Sequence, residues 1–129
     1  MSPMRTKQLG NSDLHLTPLG VGAWAIGGGG WAFAWGHQDD RESIAAIHRA
    51  LDRGVNCVDT APAYGAGHSE EVVARALEGR RKGVILVTKC GVRVPPPGQP
   101  GPLRDASRAN ILREVDASLK RLRTDWVDV

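Results

Sequence analysis

Cysteine is scarce in this chain. Cys57 and Cys90 are the two among 129 residues, they lie far apart, and no C-x-x-C occurs. That excludes a disulfide framework as the organising principle, gives no metal site, and leaves the reading of buried, reduced thiols in a cytoplasmic protein. The first ten residues, M-S-P-M-R-T-K-Q-L-G, lack the apolar core and cleavage pattern of a secretion signal. Charge is absent from Thr17 to Gly36, twenty residues without Asp, Glu, Lys or Arg, yet seven of them are glycine and Pro18 is a further breaker. A loop-rich segment fits that composition better than a membrane-spanning helix. Nor does charge of one sign dominate, since the net value is +3 with acids and bases interleaved. The densest basic runs, Arg80-Arg81-Lys82 and Lys120-Arg121-Leu122-Arg123, fall at the C-terminal ends of expected helices. There they complement the helix dipole and face solvent. No aromatic residues interleave with them, which argues against a nucleic-acid partner.

What is present suits one globular domain: 41% of residues are hydrophobic and 24% charged. A chain of this size buries about two-thirds of the surface it exposes when unfolded, provided its architecture is complete. Met4–Leu9 and Leu14–Leu19 flank the turn cluster Gly10-Asn11-Ser12-Asp13 and predict a hairpin over 4–19. Leu19 to Trp24 reads as a first core strand, followed by a loop with Gly27 to Gly30 and the aromatics Trp31, Phe33 and Trp35. Asp39 to Glu42 has capping-box spacing, and Ile44, Ile47 and Leu51 recur at helical intervals until Gly54. Val55–Val58 is a second strand. Ser69-Glu70-Glu71 opens a second helix with Val72, Val73, Ala76 and Leu77 on its apolar face and Gly79 at its end. Val84–Val87 is a continuous apolar run, as expected for a strand buried on both faces of a parallel sheet. A loop rich in proline and glycine from Pro95 to Pro102 leads to Ser107, a candidate N-cap. The third helix carries Ile111, Leu112, Val115, Leu119 and Leu122 at spacings of three to four. Asp125–Val129 reads as a fourth strand.

Strands alternating with helices predict a parallel α/β sheet. The helix-to-strand connections are short and the strand-to-helix connections long, and α/β proteins build their sites from the latter, at the C-terminal ends of the strands. Asp59 ends the second strand and Lys89 the third. If those strands are neighbours, their ends lie about 5 Å apart, and Tyr64, in the loop between, could fold over both. A phenol is a poor proton donor near neutrality. An ammonium about 4 Å away favours the phenolate by up to roughly 4 kcal/mol at an effective dielectric of about 20. The cluster therefore suggests a general acid donating to an oxyanion, such as a carbonyl under reduction. Each residue also has a plainer reading: Asp59 as a turn initiator, Tyr64 as a packing aromatic, Lys89 as a solvated strand end.

Six ordered motifs resemble the aldo-keto reductase family: L-G-V-G-A-W (19–24), D-D-R-E-S-I (39–44), G-V-N-C-V-D-T-A-P-A-Y-G (54–65), G-H-S-E-E-V-V (67–73), V-I-L-V-T-K-C-G (84–91) and S-L-K-R-L-R-T-D-W-V-D-V (118–129). The resemblance implies the N-terminal half of a (β/α)8 TIM barrel, four parallel strands with three helices, preceded by a β-hairpin. Residues 1–129 would form a single partial domain, with barrel units over 19–129. It implies NADPH across the C-terminal face and reduction of a small carbonyl substrate. Tyr64 would be the general acid, Lys89 its partner and Asp59 the residue pairing with Lys89. Gly22, Ala23, Trp24 and Asp59 would border the cofactor, and Trp24, Trp31 and Trp35 would line the substrate pocket. The family's catalytic histidine follows the D-x-V-D-V segment, beyond Val129; His37 and His68 do not match it. The segments that would hold the pyrophosphate and the adenosine 2′-phosphate fall in the barrel's second half. The expectation is a fragment inactive by itself, with a half-barrel homodimer or a non-catalytic partner-binding module as alternatives.

Overall fold

The computed structural model of the protein describes residues 4–93 and 103–129. It opens with β1 (Lys7–Gln8) and β2 (His15–Leu16), an antiparallel pair closed by the Gly10–Asp13 turn. Asn56 fastens this hairpin below the sheet: its side-chain oxygen accepts from Thr17 N at 2.9 Å and its amide donates to His15 O at 2.8 Å. Because Asn56 directly precedes a strand, the hairpin sits at the N-terminal side of the sheet.

That sheet has three parallel strands in the order β3 (Val21–Gly22), β4 (Cys57–Asp59), β5 (Ile85–Val87). Register pairs Gly22 with Asp59 and Asp59 with Val87, so three strand ends stand side by side. Helix α1 (Asp40–Asp52) starts where expected, with Asp39 Oδ1 accepting from the backbone N–H groups of Arg41 and Glu42 at 2.8 and 3.0 Å. Helix α2 (His68–Ala76) lies between α1 and α3 (Arg108–Leu122), and Ser107 Oγ caps the latter by accepting from Asn110 N. The core joins Ala23, Val58, Val84 and Leu86 of the sheet region to Ile47, Val73, Ala76, Leu77 and Leu122 of the helical layer.

Three expectations change, and one strand pair is added. The fourth strand, Asp125–Val129, forms no regular ladder, although Val129 N donates to Leu86 O and Val129 O accepts from Thr88 N, the bonds of a parallel pair around Val87. The Asp128 carboxylate takes Leu86 N at 2.8 Å, a donor that a regular ladder would give to a backbone carbonyl. The apolar run at β5 is covered on one face: Leu86 is buried under the helices, while Ile85 and Val87 stay half-buried. The proline-rich loop from Pro95 to Pro102 lies outside the described residues, and the residues flanking it add an antiparallel pair, β6 (Val92–Arg93) with β7 (Leu103–Arg104). Finally, α3 buries only Leu122 of its apolar stripe. It buries Asn110, Glu114, Ser118 and Leu122, recurring every four residues, and leaves Leu112 49% and Val115 39% exposed. Hydrogen bonds hold this polar face inward: Asn110 Nδ2 donates to Asp105 O at 2.6 Å, and Glu114 Oε2 accepts from Gly91 N, 23 positions away along the chain, at 2.5 Å.

The basic runs also turn partly inward. Arg81 stacks 4.4 Å from the Trp126 ring and pairs with Asp128 at 2.8 Å, and Arg121 pairs with fully buried Glu70. Among the described residues no helix is long and apolar enough to cross a membrane, and no group of three or more His, Cys, Asp or Glu could hold a metal ion.

Candidate active site

Strand alternation decides what each end residue faces. Asp59, last in β4, keeps its carboxylate on the accessible side, and Lys89 reaches across from the end of β5. Lys89 Nζ donates to Asp59 Oδ1 at 2.6 Å and to Thr60 O at 2.9 Å. The same ammonium stands 5.0 Å from the centroid of the Tyr64 ring. Burial pushes the Lys89 amine down, but hydrogen bonding from Asp59 and Tyr64 and their charge outweigh it, and the group is held above the ordinary lysine value. The lysine is therefore a fixed cation.

Tyr64 is positioned by close backbone packing. The 3-10 turn Ala25–Gly27 lies directly on the loop at Tyr64 and Gly65: a Cβ on Gly27 would come within 2.7 Å of Gly65 N, and one on Gly65 within 2.1 Å of Gly27 O. Gly65 also has φ +62°, so only glycine meets both demands without strain. Trp24 stacks on the Tyr64 ring with centroids 5.1 Å apart and a 32° tilt, and its indole N–H donates to Phe33 O at 2.8 Å. Trp31 joins at 6.0 Å from Trp24 and 6.3 Å from Tyr64.

These rings open onto a cavity of about 410 Å³. Trp24, Trp31 and Phe33 line it with the Ala61–Tyr64 loop, and Lys89, Cys90 and Val92 complete it. A larger hollow of about 780 Å³ lies on the hairpin, at the far end of the sheet from this cluster, and holds no comparable acid, ammonium and phenol group.

Of the residues singled out in the sequence, Asp59, Tyr64, Lys89, Trp24 and Trp31 come together here. Gly22 sits beside Asp59 in register, with nothing within 4 Å of where its Cβ would stand. Ala23 is fully buried and meets the site only through its backbone, its N–H donating to Asp59 O at 2.8 Å. Trp35 is not brought in: it is 76% exposed and does not line the cavity. Its place in the glycine-rich loop gives it no partner strand to aim it. Cys57 is buried as expected, but Cys90 is exposed at the cavity, correcting the reading of two buried thiols. His68 pairs with Asp40 at 2.8 Å, outside the cluster. Phe33, Cys90 and Val92 were not singled out for the pocket, nor were Thr60, Ser69, Glu70 and Thr88 behind it. Alternation could have flagged Thr60 and Thr88, each adjacent to a site residue and so directed to the opposite face.

Parallel strands whose C-terminal rim gathers an acid, an ammonium and a phenol beside an apolar cavity define an α/β protein with a candidate site where such folds build them. The aldo/keto reductase family model matches residues 18–129, and the chain belongs to that family. It is 41% identical over 128 residues to the aldo-keto reductase YhdN of Bacillus subtilis, covering 98% of this chain and 37% of the relative. To the NADH-specific methylglyoxal reductase of Escherichia coli it is 38% identical, covering 98% and 40%. Its fold superposes on the holo form of aldo-keto reductase AKR11C1 from Bacillus halodurans with a TM-score of 0.81 at 37% identity, over 96% of this chain and 38% of that one. It superposes on a Klebsiella pneumoniae aldo-keto reductase in complex with NADPH at 0.72 and 29% identity, over 97% and 37%. These solved neighbours are TIM barrels. The chain thus spans about two-fifths of the length of the curated relatives it matches.

Proposed function

We propose that this chain belongs to a polypeptide that reduces an aldehyde or ketone to an alcohol with NADPH, and that it supplies the proton donor and the carbonyl pocket. The observation carrying this reading is Lys89 Nζ, held 2.6 Å from Asp59 and 5.0 Å from the Tyr64 ring at the mouth of an apolar cavity. Bound NADPH would supply the hydride for the carbonyl carbon. Tyr64 would give its hydroxyl proton to the carbonyl oxygen as that atom takes up the electron pair. The positive charge of Lys89 would stabilise the negative oxygen then left on Tyr64, while Asp59 keeps the lysine from swinging into solvent. Trp24, Trp31 and Phe33 would exclude water and orient the carbonyl.

The residues present fit the nicotinamide end of the cofactor. Gly22 leaves bare backbone at the strand end, where a flat ring could lie, beside the accessible edge of Asp59 and against Trp24. Because one relative is NADH-specific by name, the choice of nucleotide belongs to the test.

The test uses the natural polypeptide that carries this chain. Tyr64→Phe should abolish carbonyl reduction while leaving NADPH affinity nearly intact, with NADPH and NADH compared in parallel. Retained turnover would sink the general-acid assignment, and stronger turnover with NADH would replace the nucleotide.

A further inference from the structure

Behind Asp59 and Lys89 lies a second set of polar groups, all on the helix side of the sheet. Thr60 and Ser69 are fully buried, with their hydroxyl oxygens 3.0 Å apart. Ser69 Oγ also lies 2.8 Å from Ala23 O, which can only accept, so the single serine hydrogen goes there and Thr60 must donate to Ser69. One residue along α2, the fully buried carboxylate of Glu70 accepts from Thr88 Oγ1 at 2.7 Å through one oxygen and from Arg121 Nε at 2.5 Å through the other. The first turn of α2 is thereby tied to the ends of all three parallel strands.

The parity of the strands gives these ties their meaning. Thr60 follows Asp59 and Thr88 precedes Lys89, so each threonine is the rearward neighbour of one member of the forward pair. The link is direct for Thr60, whose carbonyl accepts from Lys89 Nζ at 2.9 Å. Neither Ser69 nor Glu70 touches the cavity.

We propose that Ser69 and Glu70 are positioning residues that set the separation of Asp59 and Lys89 by fastening the ends of β4 and β5 to one turn of α2. Its catalytic consequence rests on the reductase reading; the geometric claim does not. In the natural polypeptide, Ser69→Ala and Thr88→Val each delete one hydroxyl, whereas Thr88→Ser keeps it. Titration of the Lys89 side chain is followed by NMR on labelled lysine, its signal assigned by loss in Lys89→Met. The expected result is a titration that moves down toward an ordinary lysine in Ser69→Ala and Thr88→Val and stays with the parent in Thr88→Ser. Where the parent reduces carbonyls, kcat should fall about tenfold in the two deletion variants with little change in KM for NADPH. Parent-like titration in both would overturn the proposal whatever the melting temperatures do. Should one variant fail to fold, the other decides, because the hydroxyls secure different strands; failure of both would make them scaffolding and overturn it as well. A parent without reductase activity would sink the reductase reading and leave the titration to judge the positioning claim alone.

Discussion

Lys89 and Asp59 form an ion pair of which each member is nearly half exposed, 47% and 46% by side chain. An exposed pair adds little to stability, so its value lies in placing the ammonium near Tyr64. Its pH behaviour follows from the direction of the lysine shift. Burial lowers the affinity of Lys89 for its proton, but the hydrogen bonds and charges of Asp59 and Tyr64 raise it further, and the folded value stands above the ordinary 10.5. The stabilisation is therefore fully present below that ordinary value and is lost as pH rises through the folded one. Asp59→Asn removes the principal partner. Thermal melts should show a shallower alkaline loss of stability in this variant than in the parent, with the gap between the two closing as pH rises through the folded lysine value. Identical alkaline limbs would mean that Asp59 does not hold the lysine.

At the level of elements, the caps and the short helix-to-strand turns behave as their local chemistry dictates, whereas the two glycine loops depend on each other. The turn Ala25–Gly27 and the loop around Gly65 meet backbone to backbone, which leaves no side chain to move aside when volume is added. Gly65→Ala should lower stability by about 1–3 kcal/mol, since it combines φ +62° with a Cβ 2.1 Å from Gly27 O. Chemical denaturation measures that loss, and a parent-like midpoint would show that the two loops are free to separate. Helix α3 shows how far periodicity carries. Its leucines and valine at spacings of three to four mark an amphipathic helix, and the helix is there, but the side facing α2 is the one whose polar groups find donors in Gly91 N and Arg121.

For the whole molecule, three parallel strands cannot close on themselves, and β3 presents an open edge. Leu112 and Val115 on α3, half-buried Ile85 and Val87 in the sheet, and exposed Leu19 and Trp126 add apolar surface of the kind that seeks a cover. A barrel of this class takes about 250 residues, and relatives extend well beyond the matched region. Expressed alone, these 129 residues should associate in sedimentation experiments and turn over carbonyl substrates little or not at all. A monodisperse monomer with robust NADPH-dependent reduction would contradict this. A defined dimer whose tryptophan fluorescence is quenched by NADPH would instead favour the half-barrel homodimer.

The sequence by itself determined the alternation of three parallel strands with three helices, the caps at Asp39 and Ser107, the glycine stops, and the placing of an acid and a lysine at successive strand ends. All of these follow from interactions within a few residues, which spacing records directly. Tertiary structure alone decided that Trp35 stays in solvent while Phe33 and Val92 reach the cavity, that Cys90 is exposed, that Arg121 leaves the surface for Glu70, and that α3 turns its polar stripe inward. Those outcomes depend on which partner lies opposite each side chain. A period fixes which residues share a face, but only the packed neighbours supply the donors, acceptors and excluded volume that determine where that face points.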